Sequence, residues 1–242
     1  MNKTILLTGA SRGLGQTIGE QILRKGWSLV AVSRGESSVL QEWQKAYPGK
    51  VSFVAQDLAE VESLDGDFFE KLFPDGREVH GFVNNAALAY DDLATNLQLS
   101  ALDRMMKVNV YAPMLLTREV LRRMLLRKTK GSLVHLSSVA AHTGYKGLAM
   151  YGASKAALEG FSKNIAREWG RFGIRSNCVV AGYMETDMTA SLTAEQKSRI
   201  YQRTALKGPV SMESVASFIL YLLSDESHSL TGQNLPVDSG TL

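Results

Sequence analysis

Short apolar runs rich in β-branched residues alternate along this chain with longer segments of helical periodicity, and no two strand-like runs are adjacent. The strand candidates are Thr4–Leu7, Ser28–Val32, Val51–Ala55, Gly81–Asn84, Ser132–Ser137, Ile174–Val180 and Asn234–Val237. Helical patterns fill the gaps at Leu14–Lys25, Ser37–Ala46, Ser63–Leu72, Ala101–Lys128, Tyr151–Phe172 and Met212–Leu223. Most of the strand candidates are apolar on both faces, as in a parallel sheet covered from either side. The alternation predicts an α/β fold: a doubly wound, parallel, seven-stranded sheet with helices on both faces. With 242 residues, 45% hydrophobic and 21% charged, the chain can bury a substantial core. No linker, repeat or low-complexity tract divides it, so residues 1–242 read as a single domain. The exception is residues 183–208, which lack a strand signal and carry polar, helix-capable residues such as Thr193–Tyr201. This stretch is either a lid or a peripheral helical insert.

A net charge of +3 with no long Lys/Arg run gives no sign of nucleic-acid binding. The most basic stretch, Arg118–Lys130, includes Arg122, Arg123, Arg127, Lys128 and Lys130. It is either the solvated face of a helix or a docking patch for an acidic partner. The first apolar run is too short for a signal peptide or a membrane span, so a cytoplasmic protein without membrane attachment is expected. The single cysteine, Cys178, lies in an apolar strand-like run and reads as an inert buried thiol.

The segment "TILLTGASRGLGQTIGEQIL" is a strand, then Gly9, Gly13 and Gly15, then an amphipathic helix. Gly9 permits a tight turn. Gly13 and Gly15 let the backbone approach a diphosphate at the helix N-terminus, where free N–H groups and the helix dipole favour anions. Such a turn directly after the first strand marks a Rossmann-type dinucleotide site. Ser11, Arg12 and Leu14 belong to the same turn. The next strand ends on Ser33 and Arg34, where a fold selecting NAD usually places a carboxylate. A guanidinium pairs with a 2′-phosphate, so Arg34 favours NADPH, with Arg12 a second candidate. Asp57 either accepts from the adenine amino group, with Leu58 beside the ring, or caps the following helix. "VNNAAL" ends the fourth strand: the amides, Asn85 among them, can brace strand ends, and Ala86 and Ala87 leave room for a ribose.

"MYGASKAAL" places Tyr151 and Lys155 four apart, on one helix face. Phenol is a poor acid–base group at neutral pH. A neighbouring ammonium lowers its pKa towards the working pH, so Lys155 is expected to tune Tyr151 and to hold a ribose hydroxyl. Gly152, Ala153 and Ser154 are expected to keep that face open. Upstream, a strand ends on Ser137 and Ser138. Either hydroxyl could meet a substrate carbonyl beside Tyr151, with Ser138, at the turn, the first choice. Asn109 sits within a helical pattern that disfavours Asn, which permits a role in positioning water near the lysine. His142, Tyr145 and Met150 are either pocket walls or loop packing. No metal-ligand spacing is present.

Together "TGASRGLG", "NNAA", Asn109, Ser138 and "YGASK" resemble the short-chain dehydrogenase/reductase family of the single-domain type, over nearly the whole chain. The resemblance implies that Tyr151 donates the proton in reduction, Lys155 lowers its pKa and binds ribose, Ser138 orients the carbonyl, and Asn109 supports a water relay. It places Gly182, Met184, Thr186 and Met188 near the nicotinamide, and it implies a homotetramer. Within the family the resemblance is strongest to the bacterial 3-oxoacyl-[acyl carrier protein] reductases, which implies reduction of a carrier-bound 3-oxoacyl chain by NADPH. Two departures from the usual pattern stand near the cofactor: Ala87 where glycine is usual, and Ala181 where proline precedes Gly182. Enoyl reductases of the superfamily space Tyr and Lys more widely, which argues against that branch. Reduction of a free ketone, sugar, steroid or quinone is the alternative activity. A non-catalytic nucleotide-binding sensor or scaffold would be expected to have lost the Tyr, Lys or Ser.

Overall fold

The computed structural model describes residues 2–64 and 66–242. Seven strands form one sheet in the order β3-β2-β1-β4-β5-β6-β7, with every neighbouring pair parallel. In chain order the elements begin with β1 (Thr4–Thr8), α1 (Gly13–Arg24), β2 (Ser28–Ser33), α2 (Ser38–Ala46), β3 (Val51–Ala55), α3 (Gly66–Leu72), β4 (Gly81–Asn84) and α4 (Leu99–Met106). Then follow α5 (Ala112–Arg127), β5 (Gly131–Ser138), α6 (Ala149–Trp169), β6 (Ile174–Ala181), α7 (Ala194–Arg203), α8 (Met212–Leu223) and β7 (Asn234–Val237). Each strand expected from the sequence forms, within a residue at either end. Residue 65 of the expected helix Ser63–Leu72 lies outside the described residues.

Two apolar layers flank the sheet. On one face Ile18, Ile22 and Leu23 of α1 and Val215, Ile219 and Leu222 of α8 pack on Ile5, Leu7, Leu29 and Val179. On the other, Phe68, Phe69 and Leu72 of α3, Leu116 and Val120 of α5 and Ile165 of α6 pack on Leu6, Val30, Phe82 and Leu133. Strand order reverses between β1 and β4, and the diverging loops there open a cleft at the C-terminal edge of the sheet.

The expected continuous helix Ala101–Lys128 is interrupted. A π-helical turn, Lys107–Tyr111, separates α4 from α5, with the Ala112 N–H donating to the Lys107 carbonyl. Pro113 explains why an α-helix is disfavoured there: it has no N–H to return to the Asn109 carbonyl, and its ring crowds that group. π-turns of this kind concentrate at functional sites.

The glycine turn is held by contact as well as conformation. Gly9 and Gly13 adopt φ of 71° and 53°, which side chains other than glycine's rarely tolerate. Gly15 is needed for a different reason: a Cβ there would collide with the Gly9 carbonyl oxygen and lie 2.7 Å from Asn85 Nδ2. Gly15→Ala should therefore lower the urea midpoint, costing about 1–3 kcal/mol for forced backbone movement. Gly160→Ala, at an α6 position with open space around the added methyl, should raise it by about 0.5–1 kcal/mol.

Candidate active site

The cleft at the sheet's C-terminal edge has a volume of about 600 Å³. Its walls carry Gly9, Ser11, Arg12, Gly13, Leu14, Gly15, Arg34, Asp57, Leu58, Asn85, Ala86, Ala87, Gly182, Met184 and Thr186, with Ser138, Tyr151 and Lys155 at one end. These are the cofactor and catalytic candidates of the sequence, except Asn109, which stands behind the wall. Glu36, Arg104 and Asp187 also line it. Arg104 could be found only from the folded chain, because it reaches the cleft across the sheet edge from α4.

At the closed end of the glycine turn, the Asn85 and Ala86 N–H groups both donate to Thr8 Oγ1 at 3.1 Å, and Asn85 Nδ2 donates to the Thr8 carbonyl at 3.0 Å. Asn85 thus braces the ends of β1 and β4. The first turn of α1 faces the cleft with no side chain capping it. Its unpaired N–H groups, the dipole and the methyl-free surface of Gly13 fit a diphosphate.

At the adenosine end Arg34 is exposed and has no carboxylate partner among the described residues. Ser33 Oγ donates to the Gly35 carbonyl at 2.9 Å, shaping that loop. Glu36 stands nearby and accepts from Gln41 Nε2 at 3.2 Å. Arg12 pairs with Asp187 at 3.3 Å, across the cleft from the Arg34 loop. Asp57 Oδ1 accepts from the Ala59 N–H at 2.9 Å, an Asx turn rather than a helix cap, since the helical turn that follows begins after Glu60 with no side chain capping it, while Oδ2 meets Arg104 Nη2 at 3.4 Å.

At the other end Lys155 is 3% exposed and its Nζ donates to the Leu136 carbonyl at 2.7 Å. Nζ lies 5.6 Å from the centre of the Tyr151 ring. Burial pushes Lys155 down to about 8. The same burial pushes Tyr151 up to about 12; hydrogen bonding from Ser138 works the other way, and the charge of Asp91 adds to the rise. The expected lowering of the phenol by Lys155 is therefore outweighed in the protein alone, because a dry pocket penalises phenolate more than the nearby cation favours it.

Asn109 is 1% exposed and its side chain is fully used. Oδ1 accepts from the Leu88 N–H at 2.8 Å, while Nδ2 donates to the Leu88 carbonyl at 2.9 Å and to Ser154 Oγ at 3.0 Å. Ser154 Oγ in turn donates to the Tyr151 carbonyl at 2.7 Å. The side chain ties the loop after β4 to α6.

Several local expectations change. Ser137 lines the cleft, but its hydroxyl donates to Glu159, which leaves Ser138, beside Tyr151 on the cleft wall, as the serine whose hydroxyl is free to donate there. Gly152 does not open space for a ribose: a Cβ there would collide with the Ala140 carbonyl. Ser154 is wholly buried. Met150 is 6% exposed core, His142 pairs with Glu159, and Tyr145 packs beneath the Arg203 guanidinium, so none of the three walls the cleft. Gly182 follows Ala181 in a pinned position, its N–H donating to the Val237 carbonyl at 3.0 Å. Cys178 is buried with its thiol pushed up to about 12, as suits an inert side chain.

A family model described as "Enoyl-(Acyl carrier protein) reductase" matches residues 9–241. The chain is 32% identical over 240 residues to the 3-oxoacyl-[acyl-carrier-protein] reductase FabG of Escherichia coli (strain K12), covering 98% of this chain and 96% of that protein. It belongs to the short-chain dehydrogenase/reductase family. It is also 32% identical over 241 residues to the L-xylulose reductase of Caenorhabditis elegans, covering 99% and 95% of the two chains. The structure of 4-hydroxyisoleucine dehydrogenase complexed with NADH superposes with a TM-score of 0.93 at 28% identity, covering 99% of this chain and 98% of that one. A Beutenbergia cavernae protein described as an NAD(P) dependent gluconate 5-dehydrogenase, with NADP bound at low occupancy, gives 0.92 at 30% identity, covering 99% and 96%. This short-chain family member is an oxidoreductase that works with a nicotinamide cofactor.

The buried lysine makes stability depend on pH. Below about pH 8 both the folded and the unfolded chain hold the Lys155 proton, and the burial penalty stands in full. Between about 8 and the ordinary 10.5 only the unfolded chain keeps it, so this residue's contribution to stability rises with pH. Tyr151 and Cys178, both raised to about 12, oppose that trend at the alkaline end. The difference between wild type and Lys155→Met isolates the lysine. In urea unfolding it should move in favour of wild type from pH 8 to 10, and a pH-independent difference would contradict the burial.

Proposed function

We propose that this chain reduces a carbonyl to a hydroxyl with NADPH, and that its substrate is a 3-oxoacyl chain carried on acyl carrier protein in the cytoplasm. The observation carrying the reading is that Ser138, Tyr151 and the buried Lys155 ammonium together line the end of a cleft that begins at the glycine turn. Bound NADPH supplies the hydride that adds to the carbonyl carbon. Ser138 and Tyr151 donate to the carbonyl oxygen and so fix the face presented. As negative charge develops on that oxygen, Tyr151 transfers its proton, and the phenolate left behind is stabilised by Lys155 at close range. The Asn109 carbonyl, left without an α-helical donor by Pro113, is assigned to a water that returns a proton towards Lys155. Arg34 is assigned to the 2′-phosphate, against the opposing charge of Glu36. Ala87 tightens the cofactor wall without removing a reacting group.

Residues 183–208 are assigned as a lid over the one domain. α7 contributes no buried residue, and its attachments are few. Glu185 accepts from Lys197 Nζ at 3.1 Å and Tyr201 Oη at 2.9 Å, while the Ala205 and Leu206 N–H groups donate to the carbonyls of Gly240 and Ser239.

A carrier would dock on basic residues, and geometry constrains which. Arg118 and Arg122 share Glu119, and Arg123 pairs with Glu70. Arg127, Lys128, Arg167 and Arg171 have no carboxylate partner among the described residues. They sit at the start of β5 and β6, whereas Ser138 ends β5, roughly 23 Å away at about 3.3 Å per residue. A carrier on that patch is better placed to feed a second copy's cleft than its own. This supports a homotetramer paired through α5 and α6, whose outer faces form an apolar groove of about 310 Å³ with Leu121, Leu125, Phe161 and Trp169 on its walls. Raising the ionic strength should then raise KM for carrier-bound substrate and leave KM for a small thioester unchanged.

The second reading, reduction of a free ketone or sugar, rests on the L-xylulose reductase likeness. The four-residue spacing of Tyr151 and Lys155 favours either over enoyl reduction, despite the family model's description. Cofactor oxidation against a panel of carrier-bound, thioester and free carbonyls should be fastest with the 3-oxoacyl thioesters and with NADPH over NADH. Tyr151→Phe should bind NADPH normally and lose about 10²–10⁴-fold in turnover; unchanged turnover would sink the mechanism.

A further inference from the structure

One carboxylate near the site has no part in the chemistry proposed above. Glu159 follows Tyr151 and Lys155 at the same four-residue spacing, on the same face of α6. It is 7% exposed, and a carboxylate so deep is costly unless donors meet it. Three polar partners do, from the end of β5, the turn that follows it, and β7. Oε1 accepts from Ser137 Oγ and lies 2.9 Å from His142 Nε2, while Oε2 accepts from Asn234 Nδ2 of β7 at 2.6 Å.

Ser137 immediately precedes Ser138, and His142 closes the short turn that follows it. The chain on both sides of Ser138 is thus fastened to one side chain, while the Ser138 hydroxyl itself accepts from the Ala140 N–H at 3.2 Å inside that turn. The helix that presents Tyr151 also presents the group that holds Ser138's flanks. We infer that Glu159 is a positioning residue for the reaction, setting the Ser138 hydroxyl against Tyr151 by holding Ser137, the 139–142 turn and β7 to the catalytic helix. This rests on the assignment of Ser138 and Tyr151 above.

Glutamine keeps the size of Glu159 but turns one carboxylate oxygen into a donor and removes the charge, so it holds both sides only if the Ser137 hydroxyl and His142 reverse to acceptors, and the remaining bonds are weaker. With acetoacetyl-CoA as substrate, Glu159→Gln should lower kcat at least tenfold while the Kd for NADPH, read by fluorescence, stays within twofold. A residue acting through Ser138 has little left to do once that hydroxyl is gone. Adding Glu159→Gln to Ser138→Ala should therefore change kcat by less than twofold, a non-additivity that general structural damage would not produce. If Glu159→Gln fails to fold by circular dichroism, Ser137→Ala, which removes one donor and leaves the carboxylate paired, should show the same coupling to Ser138→Ala. A kcat within twofold of wild type, an equal tenfold loss in the Ser138→Ala background, or a parallel loss of NADPH affinity would overturn the inference alone. A wild-type protein inert towards acetoacetyl-CoA and every other carbonyl of the panel would overturn the catalytic reading, and this inference with it.

Discussion

The site depends on burying one ammonium ion beside one phenol. Lys155 reaches the end of β5 from α6, and among the described residues only the Leu136 carbonyl receives it. Removing both groups from water moves their proton affinities in opposite directions, down to about 8 for the lysine and up to about 12 for the tyrosine. That divergence keeps Tyr151 a phenol, able to donate, while Lys155 can carry charge when an anion forms next to it. Oxyanion chemistry needs this preorganised arrangement: the dry surroundings strengthen every interaction that appears only as charge develops.

Holding that arrangement takes bracing from groups that never need to touch a substrate. Asn109 ties the loop after β4 to α6 through Leu88 and Ser154. Thr8 and Asn85 tie β1 to β4 beneath the glycine turn. Glu159 ties β5, its following turn and β7 to the helix of Tyr151 and Lys155. Each brace is a buried polar group with its partners met, which specifies one geometry more sharply than apolar packing does. The segment from 183 to 208 is held differently, by exposed pairs such as Arg12–Asp187 and Glu185–Lys197. Such pairs stabilise little, which suits the lid role proposed for this segment.

The sheet and the cleft wall were legible in advance because their signals are local. A strand apolar on both faces, followed by glycines and a helix, states both the layer order and where an anion binds. The interruption at Lys107–Tyr111 was less legible: helical periodicity runs through it, and only the pairing of Asn109 with Pro113 four residues on gives a local clue. Choosing between Ser137 and Ser138 was beyond the sequence, since the residue that engages Ser137 lies on another element. The same holds for Arg12, whose partner Asp187 is far along the chain, and for His142, Tyr145 and Met150, which serve packing rather than the cleft.

By itself, then, the sequence determined the alternation of strands and helices, the place of the glycine turn and the four-residue spacing of Tyr151 and Lys155, because each is written in neighbours within a few turns of chain. Only the tertiary structure decided which serine meets Tyr151, that burial outweighs Lys155 in setting the phenol's proton affinity, and that Gly15 and Gly152 exist for close backbone contact. Those outcomes depend on how much water is excluded and on which atoms from distant segments come within hydrogen-bonding distance, and neither is a property of a local stretch of chain.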